Sequence, residues 1–266
     1  MLCKVPEITL YFWIIKILAT TVGETAADFL NVNLGFGLTG TSLVMGVLLV
    51  GVLVYQLVKK QYVPWVYWLT VILISVVGTL ITDNLTDNLG VPLWISTVAF
   101  TALLAITFFV WHASEKTLSI HSIFTTRREL FYWAAILVTF ALGTAGGDFA
   151  TEGLNFGYLE GVLIFGGLIA ATTVAYYSKV FGSVLAFWIA YILTRPLGAS
   201  IGDLLTQSPQ DGGLGISDWA VNAVFFAVIV ALIAYLSITK VDQPSEEEGE
   251  ARRQEFLGRN PARASA

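Results

Sequence analysis

The sequence predicts an all-α, polytopic membrane protein. Eight transmembrane helices come from four parallel two-helix repeats, pseudo-symmetric about the membrane normal. Three observations predict it. Hydrophobic residues are 56% of the 266 and fall into runs of about 20, the length a helix needs to cross a hydrocarbon core of about 30 Å. One motif recurs four times at fixed internal spacing. Every Lys and Arg outside two of the apolar runs falls on one predicted side of the membrane.

The motif is an aromatic residue followed by Trp, then Gly ten residues on, a small residue four further, and Asp directly after it. Its copies are Phe12, Trp13, Gly23, Ala27, Asp28; Tyr67, Trp68, Gly78, Thr82, Asp83; Tyr132, Trp133, Gly143, Gly147, Asp148; and Phe187, Trp188, Gly198, Gly202, Asp203. Four matching spacings in otherwise divergent segments mark an internal repeat. The mean hydropathy of +0.76 and the 12% share of charged residues, about half the usual, set the chain apart from soluble domains.

Each repeat supplies a motif-bearing first helix, expected near residues 8–30, 63–83, 130–150 and 181–203. A second helix follows near 38–59, 91–113, 158–178 and 216–238. Continuous runs of this length exclude the short alternating strands of a membrane β-barrel. Residues 1–240 form the transmembrane domain, with repeats at about 5–60, 61–115, 128–180 and 181–240. Trp13 to Trp68 and Trp133 to Trp188 are both 55 residues, whereas the middle interval is 65. The long connection from His112 to Leu130 therefore reads as the joint between two halves. Residues 241–266 are polar and charged, and a disordered cytoplasmic tail with at most a short helix is expected. Lys4 before an apolar run has the outline of a signal peptide. Lys16 interrupts that run, and the segment is a copy of the repeat, so it is expected to be retained.

Orientation follows from the positive charges. Lys4, Lys59, Lys60, Lys116, Arg127, Arg128, Lys179 and Lys240, with Arg252, Arg253, Arg259 and Arg263 in the tail, all lie where repeats begin and end. The loops inside the repeats carry none. Both termini are therefore expected in the cytoplasm. Because each repeat crosses twice, all four enter the membrane in the same direction.

Composition also excludes. A single cysteine, Cys3, rules out an internal disulfide and argues against a thiol metal site. Both histidines, His112 and His121, lie in the middle connection, leaving no imidazole in the membrane. There is no basic stripe for nucleic acid, no nucleotide-binding motif, no nucleophile motif and no cofactor fingerprint, so an enzyme ranks last and no cofactor is expected. The expected partners are the lipid bilayer and a small cation, and a homo-oligomer is left open.

With these four copies of the aromatic-Trp, Gly and Asp motif, the chain resembles a group of bacterial integral membrane proteins. They are defined by four tandem two-helix repeats of unknown function, each with a characteristic Trp. The resemblance covers about residues 5–240. It implies a bacterial inner-membrane protein with eight spans, and it implies no chemistry, so function must come from the residues.

At 1.5 Å per residue the motif Gly lies ~15 Å, and the Asp ~22 Å, beyond the Trp. Trp13, Trp68, Trp133 and Trp188 follow the cytoplasmic charges and are expected as interface anchors. Gly23, Gly78, Gly143 and Gly198, each with a small residue four positions on, are expected to pack the first helices at the centre. Asp28, Asp83, Asp148 and Asp203 would then ring a common axis in the outer third of the bilayer. A charge at such depth costs a few kcal/mol even on lenient scales.

The copies are unequal. Only the first has Lys16 and Glu24, and only the fourth has Arg195. Lys16, Thr20, Glu24 and Asp28 form a polar stripe on one helix face. Glu24 is expected either to bind a cation or to pair with Arg195 or Lys16. Pro196 frees a carbonyl at Tyr191 or Ile192. Asp87, Glu152, Glu160, Asp211 and Asp218 make the outer face acidic, which raises local cation concentration. Carboxylates with the hydroxyls of Thr20, Thr21, Ser75, Thr139, Thr144 and Thr194 form an oxygen set suited to Mn²⁺, Mg²⁺ or Ca²⁺. The expectation is a transporter or exporter of a small cation, a divalent metal such as Mn²⁺, driven by an ion gradient. Glu24 and the four aspartates would be its ligands, with Lys16, Thr20 and Arg195 lining or gating the path. The alternative is a non-transporting scaffold or sensor whose intramembrane charges are structural ion pairs.

Overall fold

An apolar backbone segment in lipid must satisfy its own N–H and C=O groups, and a helix does so within itself. The computed structural model describes residues 3–259, and these are helical with no strand among them. In order they form α1 (Leu10–Asp28), α2 (Gly37–Val58), α3 (Pro64–Asp83), α4 (Leu93–Glu115) and α5 (Thr126–Asp148). Then come α6 (Tyr158–Tyr177), α7 (Ser183–Thr206), α8 (Asp218–Thr239) and α9 (Glu246–Arg259). Local signals set the boundaries. Thr9 and Thr125 cap α1 and α5 by accepting from the N–H groups of Phe12 and Arg128, as N-cap threonines do. Pro64 opens α3, where its missing N–H costs nothing.

Seven of these helices, α2 to α8, are long and apolar enough to cross a membrane. Helix α1 falls outside that set because Lys16 and Glu24 lower its hydropathy. Burial sorts the rest. The apolar windows of α3, α5 and α7 are 78%, 61% and 67% buried, against 17%, 11%, 11% and 17% for α2, α4, α6 and α8. The first helices are the interior and the second helices the coat.

Neighbour relations close a ring. Helix α1 packs on α3, α3 on α5, α5 on α7, and α7 back on α1. Each second helix packs mainly against the first helix of the following repeat: α2 on α3, α4 on α5, α6 on α7, and α8 on α1. The last repeat thus completes the first. The middle connection is no gap between halves. Arg128 staples it, donating to the Glu115 carboxylate at 2.7 Å, the Ser122 carbonyl at 3.0 Å and the Glu115 carbonyl at 2.9 Å.

One end of the ring is sealed by residues far apart in sequence. Buried Lys4 holds Glu129 at 2.6 Å and the Leu57 carbonyl at 2.8 Å. Gln56 donates to the other oxygen of Glu129 at 3.1 Å. Tyr62 donates to Asp242 at 2.6 Å, and the Asp242 carbonyl accepts from the Glu7 N–H at 2.8 Å. Burial pushes the Tyr62 hydroxyl and the Asp242 carboxyl up from their usual ranges. The expected disordered tail is corrected over Glu246–Arg259, which is helical as α9; Arg252 pairs with Glu7 at 2.5 Å. Residues 260–266, Arg263 included, lie outside the described residues.

At the other end, α1, α3 and α5 each stop at the motif Asp and widen into a five-residue π-turn: Phe29–Asn33, Asn84–Asn88 and Phe149–Gly153. Helix α7 instead runs on to Thr206. Nothing in the spacing announces these turns.

Candidate functional site: a charged column inside the ring

Each first helix turns one face inward, and residues four apart occupy successive layers on it. From the sealed end, α1 presents Phe12, Lys16, Thr20, Glu24 and Asp28; α3 presents Tyr67, Val71, Ser75, Thr79 and Asp83. Helix α5 presents Tyr132, Ile136, Phe140, Thr144 and Asp148; α7 presents Phe187, Tyr191, Arg195, Ala199 and Asp203. All are buried except Asp28, Asp83 and Asp148, which are half-buried.

The first layer corrects an expectation. Trp68, Trp133 and Trp188 are 0%, 3% and 4% exposed and are not interface anchors. Each packs against the aromatic residue of the preceding repeat: Phe12 with Trp68 at 5.4 Å between ring centroids, Tyr67 with Trp133 at 5.5 Å, and Tyr132 with Trp188 at 6.3 Å. Phe187 with the half-buried Trp13 at 5.9 Å closes the circle. Edge and tilted contacts of this kind add to plain burial. The motif's aromatic pair is therefore a collar joining neighbouring helices, and the Tyr67 and Tyr132 hydroxyls pair inside it at 2.5 Å. The tryptophans that remain exposed are Trp65, Trp94 and Trp219, all at helix starts.

The motif glycines do what their spacing implies. A Cβ on Gly23 would strike Ser75, one on Gly78 would meet Phe140 at 2.7 Å, one on Gly143 would strike Arg195, and one on Gly198 would strike Thr20. Each faces the residue three before the next copy's Gly, again in a closed circle. Pro196 fits the same scheme, its ring packing beside Gly143 and Gly147. Of the carbonyls below it, that of Tyr191 accepts the Thr194 hydroxyl at 2.7 Å, and Thr20 donates to the Thr194 carbonyl at 3.2 Å.

At the centre the four helices meet in one node. The Arg195 guanidinium pairs with the Glu24 carboxylate and donates to Thr79 and, at 2.7 Å, to Thr144; Thr79 also lies 3.3 Å from the same Glu24 oxygen. Glu24, Thr79 and Thr144 each directly follow a motif Gly. The fourth such residue is Ala199, and Arg195, one turn earlier, reaches into the room it leaves. Of the two pairings open to Glu24, Arg195 is the one present. Sequence reasoning missed Thr79, although its register with Glu24 was the signal. Two turns from Glu24 towards the collar, Lys16 lies under the Phe140 and Tyr191 rings at 4.0 and 4.2 Å.

Beyond the node, the aspartates surround the open end. Each aspartate stands one turn past the layer of Glu24, Thr79, Thr144 and Ala199. The aspartates do not form the expected metal ligand set with Glu24: among the described residues no three His, Cys, Asp or Glu side chains could hold one ion. A cavity of about 480 Å³ lies elsewhere, outside the ring between α1, α6 and α7, with mostly apolar walls that include Trp13, Thr172 and Thr194.

Comparison with curated proteins finds no match, and neither does comparison with solved structures. The family model described as "Repeat of Unknown Function (DUF347)" matches four times, at residues 11–62, 66–117, 131–179 and 186–242. These four matches take in most of the chain, one per two-helix unit, and the protein belongs to this repeat family.

Proposed function

We propose that the protein is a gradient-driven transporter of a small cation that moves along the axis of the four-helix ring. In this reading it is a bacterial inner-membrane protein with eight spans, α1 included, and both termini in the cytoplasm. The repeats are related by a pseudo-fourfold axis along the membrane normal. That α1 turns Lys16 and Glu24 into the ring and away from lipid supports counting it as a span.

The observation that carries the reading is the buried Arg195–Glu24 node beneath four aspartates, in a ring whose other end is sealed. The acidic mouth concentrates cations. Glu24 lies one turn further in, and its resident counter-ion is a guanidinium. A cation that reaches Glu24 takes the place of Arg195, with the Thr79 and Thr144 hydroxyls as neutral oxygen ligands. Leaving Arg195 buried without its partner costs several kcal/mol, so cation arrival favours a different placement of α7. One carboxylate and two hydroxyls bind a divalent ion such as Mn²⁺ loosely, as cargo that must leave again requires.

The test is uptake into proteoliposomes of Mn²⁺, Mg²⁺, Ca²⁺, Na⁺ and K⁺. Glu24→Gln should lower uptake of the transported ion at least ~10-fold while the protein still elutes as a single species. The reading fails if no ion enters faster than into protein-free liposomes. The second reading, a scaffold or sensor, is favoured by the same closed ion pair. It expects Glu24→Gln to reduce stability and to change no flux.

A further inference from the structure

Lys16 has no part in the mechanism above. Its side chain is fully buried, and its Nζ has no hydrogen-bond or ion-pair partner among the described residues. Lys4, buried equally, has both a carboxylate and a carbonyl. Nor does packing ask for a cation there, because the equivalent residues of the other helices are Val71, Ile136 and Tyr191. The charged or titratable groups of the surrounding layers are Glu24 on its own helix, Tyr67 on α3, Tyr132 on α5, and Tyr191 and Arg195 on α7. Two ring faces hold the ammonium in part. The other cation on the inward faces, Arg195, stands one layer away on α7 and opposes it.

We propose that Lys16 is the proton-carrying group of the transporter. The inference rests on the transport reading and adds its coupling ion. When a cation takes Glu24, the freed guanidinium of Arg195 is no longer neutralised and repels the Lys16 ammonium more strongly. An Nζ–H bond then breaks, the electron pair stays on nitrogen, and the proton passes to water. When the cation leaves, Arg195 returns to Glu24 and the amine takes a proton from water on the other side. A divalent ion brings two positive charges and one proton leaves, so the interior gains one charge in place of two.

The experiment uses the full chain in liposomes with an Mn²⁺ indicator and a pH indicator inside. In wild type an imposed pH gradient should speed Mn²⁺ entry at least ~10-fold, with protons moving the opposite way. Whatever Mn²⁺ entry Lys16→Met retains should not respond to the pH gradient and should move no protons. Lys16→Met should also melt no lower than wild type, because it removes an unpartnered charge; a purely structural lysine would lower the melting point. Lys16→Arg, which stays charged, should also lose proton counterflow. Proton counterflow persisting in Lys16→Met, or coupling to chloride in its place, overturns this proposal alone. A wild-type protein that moves no cation overturns the transport reading with it.

Discussion

The Glu24–Arg195 pair supports a prediction that needs no substrate. The two side chains are 9% and 0% exposed, so removing one strands the other in the ring. Stranding a buried charge costs about 3–5 kcal/mol. Glu24→Gln should fall at the low end, near ~3 kcal/mol, because the amide oxygen still accepts from Arg195 and Thr79. Arg195→Met should cost ~4–5 kcal/mol, because the carboxylate keeps only the weak Thr79 contact at 3.3 Å. The double variant leaves no charge, and the amide introduced in place of the Glu24 carboxylate still bonds the Thr79 hydroxyl. It should lie within ~2 kcal/mol of wild type, giving a coupling of at least about 5 kcal/mol between the two sites. Equilibrium denaturation of the four proteins in one detergent, followed by circular dichroism, measures the cycle. Additive effects, with the double variant as unstable as the sum of the singles, would refute the pairing.

Gly198→Ala would bring a Cβ within 3.0 Å of the Thr21 backbone nitrogen and onto Thr20. It should cost about 1–3 kcal/mol through overpacking, whereas Gly51→Ala, with nothing within 4 Å, should change stability by no more than ~1 kcal/mol and in the favourable direction. His121, with Arg252, holds the Glu7 carboxylate below its usual range. A depressed folded value contributes stability above the unfolded carboxylate value of about 4.3 and loses it as pH falls through the folded one. The melting-point gap between wild type and Glu7→Gln should therefore be open at pH 6 and close below about pH 4. Burial raises the Cys3 thiol to about 11. Since the thiolate is the reactive form, maleimide at pH 7.5 should label the folded protein at least ~10-fold more slowly than the denatured chain.

What the sequence made legible is what repeats. Four equal Trp-to-Gly-to-Asp spacings place Gly and Asp at one depth on one face, and close helix packing is the reading available for small residues there. The Trp positions misled because an aromatic near a charged loop suits both an interface belt and a buried collar. Only the closed circle of Phe12–Trp68 to Phe187–Trp13 contacts decides between them. The choice between Arg195 and Lys16 as partner of Glu24 was open for a similar reason. Helical register puts both within a turn or two of Glu24, and it took the room beside Ala199 to seat the guanidinium. The sealed end was not legible at all: Lys4–Glu129 and Tyr62–Asp242 join residues 125 and 180 positions apart, and no periodicity relates them.

The departures from the repeat explain why four copies are joined in one chain. An assembly of four identical units places the same residue at every position of a layer. Copied four times, the first repeat would gather four Glu24 carboxylates in one layer and four Lys16 ammoniums two turns away, each layer repelling itself in a low-dielectric interior. Joining the copies lets each layer differ. The layer after the motif Gly carries one carboxylate, two hydroxyls and one methyl group, in Glu24, Thr79, Thr144 and Ala199, and the single guanidinium of Arg195 enters through the gap beside that methyl. The collar and glycine positions keep their pattern because each helix needs the same grip on its neighbour. The charged positions depart from it because only unlike partners can be buried together. In this ring sameness carries the architecture, and whatever chemistry the protein performs is concentrated where the copies disagree.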